Sequence, residues 1–167
     1  MELQTERLLV IALDMEQLRL LLEDIKEFEK KLNVKYYGEP IEGDILDFAK
    51  SQYQKILNSK GIYKWHTFWQ FKLKSENIIV GSASFKGSPN EYGDVDIGYS
   101  TNVLYQNKGY TTEAVIELCN WALTEKNVFR VIAETEKDNI PSQRVLEKCG
   151  MQKYKENDES FWWELKR

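Results

Sequence analysis

Cysteine, proline and histidine are all scarce in this chain: 2, 3 and 1 among 167 residues. The two cysteines, Cys119 and Cys149, fall inside helix-like patterns. A disulfide scaffold needs more of them in a smaller chain, so both read as apolar packing residues. With one histidine there is neither a histidine-based metal cluster nor a supported Cys–His pair, so no metal is expected and His66 reads as a surface strand residue. A basic excess is also missing. The net charge is -4 and no block of like charges stands out, whereas nucleic-acid binding needs a basic face. An acidic surface instead favours a cationic or amine-bearing partner. The longest apolar run near the start, Leu8 to Leu13, is far short of a signal-peptide core or a membrane span, and it follows the charged pair Glu6-Arg7. The expectation is a soluble cytoplasmic protein, monomer or homodimer, with neither nucleic acid nor membrane as partner.

What is present is ordinary globular composition, 42% apolar and 30% charged, over a length that suits one domain spanning residues 1–167. Arg7 to Leu13 reads as a first strand. Met15 to Leu32 carries Leu18, Leu21, Leu22, Ile25, Phe28 and Leu32 at helical spacing. Asn33 to Gly43 is turn-rich, and Asp44 is placed to cap a second helix that ends at Ser59-Lys60-Gly61.

The period then changes to two. His66, Phe68, Gln70, Lys72 and Lys74 alternate with Thr67, Trp69, Phe71 and Leu73, and Ile78 to Phe85 follows a short polar turn, which predicts a hairpin. Asp94 to Val103 predicts a third strand of the meander. Trp65, Trp69, Phe71 and Tyr99 read as core or cleft wall. Ala114 to Leu123 is nearly all apolar and predicts a buried helix. Phe129 to Thr135 reads as a strand, and Asn139 to Lys148 as a helix with Asn139 as cap and Gly150 as stop. Met151 to Lys155 and Phe161 to Leu165 close the chain as a hairpin, in which at most one of Trp162 and Trp163 is fully buried. The order is β-α-α-β-β-β-α-β-α-β-β. It predicts an α/β (α+β) fold with a mixed, mostly antiparallel sheet of about six or seven strands, with one parallel pair made by the crossover through the buried helix.

The stretch Tyr105 to Ala114, YQNKGYTTEA, joins strand to helix through a glycine, with no Pro, Asp or Ser to cap the helix. A helix start leaves several backbone N–H groups unpaired beside the positive end of the helix dipole, which makes an anion site. Gly109 permits positive φ and close approach, and Lys108 adds charge. No G-x-x-x-x-G-K-[ST] is present and no G-x-G-x-x-G follows a first strand, so the P-loop and dinucleotide-binding readings fail.

The stretch resembles the acyl-CoA-binding motif [QR]-x-x-G-x-[GA] of GCN5-related N-acetyltransferases (GNAT), with Gln106, Gly109 and Thr111 on its three positions. Thr111 departs from the family's Gly or Ala, which is expected to narrow the approach to the phosphates. Asp94 to Tyr99 resembles the strand before that motif. Asn139 to Gly150, NIPSQRVLEKCG, and the opening TERLLV resemble the RimJ/RimL-like branch, which acetylates ribosomal-protein N-termini. The similarity spans nearly the whole chain.

This resemblance implies a GNAT-like fold in which the strands around the motif splay apart and the pantetheine of acetyl-CoA lies in the gap. The backbone of Ser100, Thr101 and Asn102 would meet the pantetheine and the thioester carbonyl. The diphosphate would sit on N–H groups of Gln106, Asn107, Lys108, Gly109, Tyr110, Thr111 and Thr112. Asn139 and Ser142 would contact the amide and the sulfur. Asp96 is the first candidate for general base and Asp94, on the same strand face, the second. Many relatives place an acidic Tyr where this chain has Leu146. The acceptor is an amine, either a protein α-amino group or a small amine such as a polyamine; a CoA-binding regulatory module without turnover is the reading from another class.

Overall fold

The computed structural model describes residues 1–58 and 60–167. Its chain begins with Glu2–Gln4 (β1), which folds back antiparallel on Leu8–Ala12 (β2). Next come helices Met15–Glu23 (α1) and Ile25–Leu32 (α2). The apolar spacing predicts one continuous helix here, but the Asp24 carboxylate accepts the Glu27 N–H and starts a new helix, as a short acidic side chain does at a cap. Lys35–Tyr36 (β3) and the helix Gly43–Asn58 (α3) follow. Asp44 lies inside the first turn of α3 and so is not its cap. Ser59, at the expected end of that helix, lies outside the described residues. After a 3₁₀ segment at Lys60–Trp65 come Phe68–Leu73 (β4), Ile78–Phe85 (β5) and Asp94–Thr101 (β6). Tyr110–Thr124 (α4), Arg130–Glu136 (β7), Ile140–Lys148 (α5), Gln152–Glu156 (β8) and Ser160–Lys166 (β9) complete the chain.

The strands form one sheet in the order β1-β2-β4-β5-β6-β7-β9-β8, with the two-residue β3 against β5. The fold is the mixed, mostly antiparallel sheet flanked by helices that the element order predicts. It carries nine strands rather than six or seven, because β1 and β3 are too short to leave a period in the sequence. The crossover through α4 makes the expected parallel pair, β6 with β7. A second, unexpected parallel pair arises where β3 takes the edge of β5 at Ile78 and Ile79, before β6 begins to pair at Gly81.

Helix α4 covers one face. Its buried stripe, Thr111, Ala114, Val115, Leu118, Cys119 and Ala122, follows the helical period. Trp121 joins it to an aromatic cluster with Trp65, Trp69 and Phe85, ring centroids 4.8 to 5.8 Å apart. The other face is covered by α1, α2 and α3 over Ile11, Leu18, Phe28, Ile56 and Ile79. Helix α3 also covers His66, which is only 5% exposed and so is not a surface residue. Its ring nitrogens meet Gln52 Oε1 at 2.6 Å and Ser88 Oγ at 3.1 Å. Burial, with a smaller contribution from the Lys55 charge, lowers its pKa. Of the tryptophan pair in β9, Trp163 is the buried one, and its Nε1–H donates to Thr135 Oγ1.

At the paired end of β6 and β7, Arg130 donates to both Asp94 oxygens, at 2.7 and 2.6 Å, and to Glu164 Oε2 at 2.8 Å. One guanidinium thus fastens β6, β7 and β9. The Arg130 hydrogen bonds hold the Asp94 carboxyl below its usual range, outweighing the opposing effect of burial. A depressed carboxylate pKa means stability that is present above the unfolded pKa of about 3.9 and lost as pH falls through the folded value.

Two outcomes are expected. Trp121→Ala should cost about 3 to 5 kcal/mol, the range for large aromatic deletions in a core, read from the urea midpoint; a loss under about 1 kcal/mol would show that the cluster does not hold α4. Asp94→Asn should cost about 2 kcal/mol at pH 7, the order of a hydrogen bond to a charged group. Its difference from the wild type should close as the pH is lowered below about 4, and a constant difference would contradict the Arg130 linkage.

Candidate active site

Strand β6 is shared between two neighbours that carry it in different directions. Its pairing with β7 covers only Asp94, Val95 and Asp96 against Arg130, Val131 and Ile132. Beyond that β6 stays with β5 as far as Thr101, and β7 stays with β9 as far as Glu136. The result is a gap that opens after Asp96. Alternation decides which backbone groups face it. Lys86 N–H donates to Asp96 O and Asn102 N–H to Val80 O, so Asp96, Gly98, Ser100 and Asn102 turn toward β5. Tyr99 and Thr101 turn their N–H and C=O toward the gap. Of the expected trio, the Thr101 backbone therefore faces the opening, while those of Ser100 and Asn102 face β5.

At the gap's mouth stands the start of α4. Asn107 and Gly109 both take left-handed φ, 61° and 79°. Gly109 occupies the N-cap position with no side chain capping the helix. The first α4 backbone donor with an intrachain acceptor is Glu113 N–H, to Gly109 O. Among the described residues, the six N–H groups from Asn107 to Thr112 have no backbone or side-chain acceptor. Gln106, Asn107, Lys108 and Gly109 are exposed. The Gln106 N–H, by contrast, donates to Val103 O at 3.4 Å and is not one of the free donors. The Lys108 ammonium lies 4.8 Å from the Tyr105 ring centroid.

Thr111, the position that departs from the motif, is buried, and its hydroxyl bonds Thr101 Oγ1. Its extra atoms point into the fold and do not narrow the anion site; they tie α4 to the end of β6. Arg7 was not legible as a site residue. Its Nη1 donates to Lys108 O at 3.0 Å, its guanidinium lies 4.6 Å over the Tyr110 ring, and its Nε donates to Glu113 Oε2 at 2.6 Å. Thr5 Oγ1 also donates to the Glu113 carboxylate. The segment before β2 therefore braces the turn and sets a cation beside it. The only signal was the bare TER triplet, which names no partner 100 residues away.

Helix α5 closes the same face. Asn139 caps it, accepting the Ser142 N–H at 3.1 Å. The Tyr99 hydroxyl reaches from β6 to Ser142, 2.9 Å from its Oγ and 3.1 Å from its carbonyl oxygen. Burial raises the Tyr99 pKa well above the ordinary value. Leu146 is fully buried. Cys149 donates weakly to Thr112 O, and burial pushes its thiol up to about 12, so neither it nor the still more buried Cys119 is a ready nucleophile.

Asp94 and Asp96 share the opposite sheet face but not a role. Asp94 is held by Arg130. Asp96 sits at the apex of the gap, with Oδ2 2.8 Å from Lys86 Nζ and Oδ1 buried without a partner among the described residues. Burial raises its pKa, and Lys86 opposes that rise. On this face a cavity of about 710 Å³ opens over β4, β5 and β6. Its floor is small and polar, with Ser82, Ser84, Gly98 and Ser100, and its walls include Tyr36, Phe48 and Phe68. Glu39 and Asp44 are the only charged residues lining it among the described ones. The gap thus separates an anion site on one face from an aromatic cavity on the other. No helix among the described residues is long and apolar enough to cross a membrane.

The model of the acetyltransferase (GNAT) domain matches residues 10–152. An uncharacterized N-acetyltransferase of Bacillus subtilis (strain 168), YjdG, is 34% identical over 148 residues, covering 89% of this chain and 88% of its own. The Ribosomal-protein-S5-alanine Acetyltransferase of Vibrio fischeri superposes with a TM-score of 0.72 at 18% identity, over 99% of this chain and 96% of its own. The spermidine N-acetyltransferase of Vibrio cholerae, in complex with CoA and spermine, does so with a TM-score of 0.66 at 15% identity, over 97% and 96%. The uncapped helix at the mouth of a split parallel pair and the family match agree: the chain belongs to the GNAT family and is an acetyl-CoA-dependent acetyltransferase.

Proposed function

We propose that the chain transfers an acetyl group from acetyl-CoA to a primary amine by direct attack on the thioester. The observation that carries this reading is the row of free N–H groups from Asn107 to Thr112 beside the gap between β6 and β7. Those donors suit a diphosphate, with the helix dipole adding favourable charge and Arg7 close by. When bound, acetyl-CoA supplies the thioester carbonyl that the amine attacks.

In this reading the pantetheine takes the open edges that Tyr99 and Thr101 present, and the Thr101 N–H donates to the carbonyl oxygen as it gains charge. Asp96 takes the proton from the amine, directly or through water. It is preferred to Asp94 because its raised pKa makes it a better acceptor near neutral pH, whereas Asp94 is engaged by Arg130. The Ser142 hydroxyl, oriented by Tyr99 and by the Asn139 cap, hydrogen-bonds the departing sulfur. Little more is needed there, since a thiol with a pKa of about 8.5 leaves readily. Leu146 lies in the core and takes no part.

The acceptor enters from the aromatic cavity, on the face opposite the diphosphate. An amine suits this entrance because the only charged residues lining it, among the described ones, are Glu39 and Asp44. Assignment to the RimJ/RimL-like branch is supported by the NIPSQRVLEKCG segment and by the likeness to the Vibrio fischeri enzyme. The spermidine enzyme's comparable likeness leaves a small amine equally in view.

Two measurements test the reading. Gly109→Glu puts an anionic side chain at a left-handed position whose Cβ would lie 3.4 Å from Arg7 Nη2. It should abolish CoA binding in calorimetry, and retained affinity would overturn the diphosphate placement. Thiol release with an accepted amine should fall as the pH drops through the raised Asp96 pKa. Asp96→Asn should lower the rate most on the plateau above that pKa, by roughly 100-fold, and should remove the acid limb. An unchanged pH profile would take Asp96 out of the base role.

A further inference from the structure

We propose that Gln70 selects the acceptor: its carboxamide oxygen takes a hydrogen bond from the far end of an amine whose ring-like, uncharged body lies in the cavity. This rests on the acetyl-transfer reading above and adds a substrate class to it. Gln70 lies in the middle of β4, in the run Phe68-Trp69-Gln70-Phe71. It is 2% exposed, and its Oε1 is buried with no hydrogen-bond partner among the described residues. A buried polar atom left without a partner costs about 1 to 3 kcal/mol, so such a group in a ligand cavity is most simply completed by the ligand.

The register shows what Gln70 faces. It pairs with Ser82 on β5, and Ser82 pairs with Ser100 on β6, with the two hydroxyls 3.3 Å apart. Gln70, Ser82 and Ser100 thus form a polar rung on the cavity floor, running from β4 toward the gap. Two strand spacings, roughly 10 Å, separate the Gln70 strand from β6. A group reaching Gln70 is therefore at the opposite end of the acceptor from the reacting nitrogen. At the β6 end, two residues before Ser100, the floor is low, with nothing within 4 Å of where a Cβ on Gly98 would stand. The walls Tyr36, Phe48 and Phe68 suit a flat apolar body. No Lys, Arg or His lines the cavity among the described residues, while Glu39 and Asp44 do. An acceptor carrying a carboxylate or phosphate would be repelled by Glu39 and Asp44, with no cation among the described lining residues to offset them.

The class is therefore an arylalkylamine or similar amine with an O–H or N–H donor at its far end and no acidic group. Tyramine, phenethylamine and tyrosine form the test set: the second lacks the far donor, and the third adds a carboxylate. Acetylation is followed by thiol release with the full chain, wild type and Gln70→Leu, and CoA affinity is measured for both by calorimetry. In the wild type, tyramine should exceed phenethylamine by roughly tenfold or more in kcat/KM through a lower KM, and tyrosine should fall below both. Gln70→Leu should erase the tyramine advantage, leave phenethylamine within about twofold or improved, and keep CoA affinity unchanged. Equal use of tyramine and phenethylamine by the wild type, an equal loss on both in the variant, or turnover confined to other amines would overturn the assignment and leave acetyl transfer standing. Absence of CoA binding in the wild type would overturn the acetyl-transfer reading and this one with it. Gln70→Glu is the second variant, in case the leucine fails to fold. It keeps the acceptor oxygen, so it should retain the tyramine preference, and loss of that preference in it would also count against the role.

Discussion

The site depends on one constraint in the sheet: β6 cannot follow both of its neighbours. Three residue pairs join it to β7, and Arg130 bolts that short contact to Asp94 and Glu164. Past Asp96, the longer ladders to β5 and β9 win, because each carries more hydrogen bonds and side-chain contacts than the parallel pair has left. The gap is thus the outcome of unequal pairing lengths. Among the described residues, the backbone groups that Tyr99 and Thr101 turn toward it have no strand partner, and unpaired backbone groups at the interior of a sheet call for a ligand that can hydrogen-bond them.

The two faces of the gap have opposite chemistry because opposite elements cover them. On one face α4 and α5 both begin near it and are held there by side-chain contacts to β6, through Thr101 with Thr111 and Tyr99 with Ser142. The free donors of α4 make that face anion-seeking. On the other, α3 and the segment that follows β3 stand back from β5 and β6 and leave a space walled by aromatic rings and edged by carboxylates. A reaction between an anionic donor and an amine is served by this division, since each reactant has its own entrance and the two meet where the strands part.

Much of this was legible in the residues. The uncapped Gly109 turn, the buried α4 stripe and the Asn139 cap are local, so backbone preference and period reveal them. Arg7 was not legible, because its partners Lys108 and Glu113 are about 100 residues away. His66 looked outward because its set alternates with apolar residues, and Gln70 of the same set drew no assignment; α3 and its neighbours cover that second face too, and strand period cannot tell water from a second layer. Asp94 and Asp96 lie on one strand face, and only the family resemblance ranked Asp96 first. The position of Arg130 against Asp94 and Lys86 against Asp96 gives that ranking a physical reason.

By itself the sequence determined the element types, the mixed sheet with its crossover, and a helix start with bare donors at Tyr110, all set by local sterics, hydrophobic period and turn chemistry. The tertiary structure alone decided where β6 and β7 part, which backbone groups face the opening, and that Gln70 lies buried on a cavity floor. Those outcomes follow from strand register and from which layer covers which face, and both are settled by contacts between residues far apart in the chain.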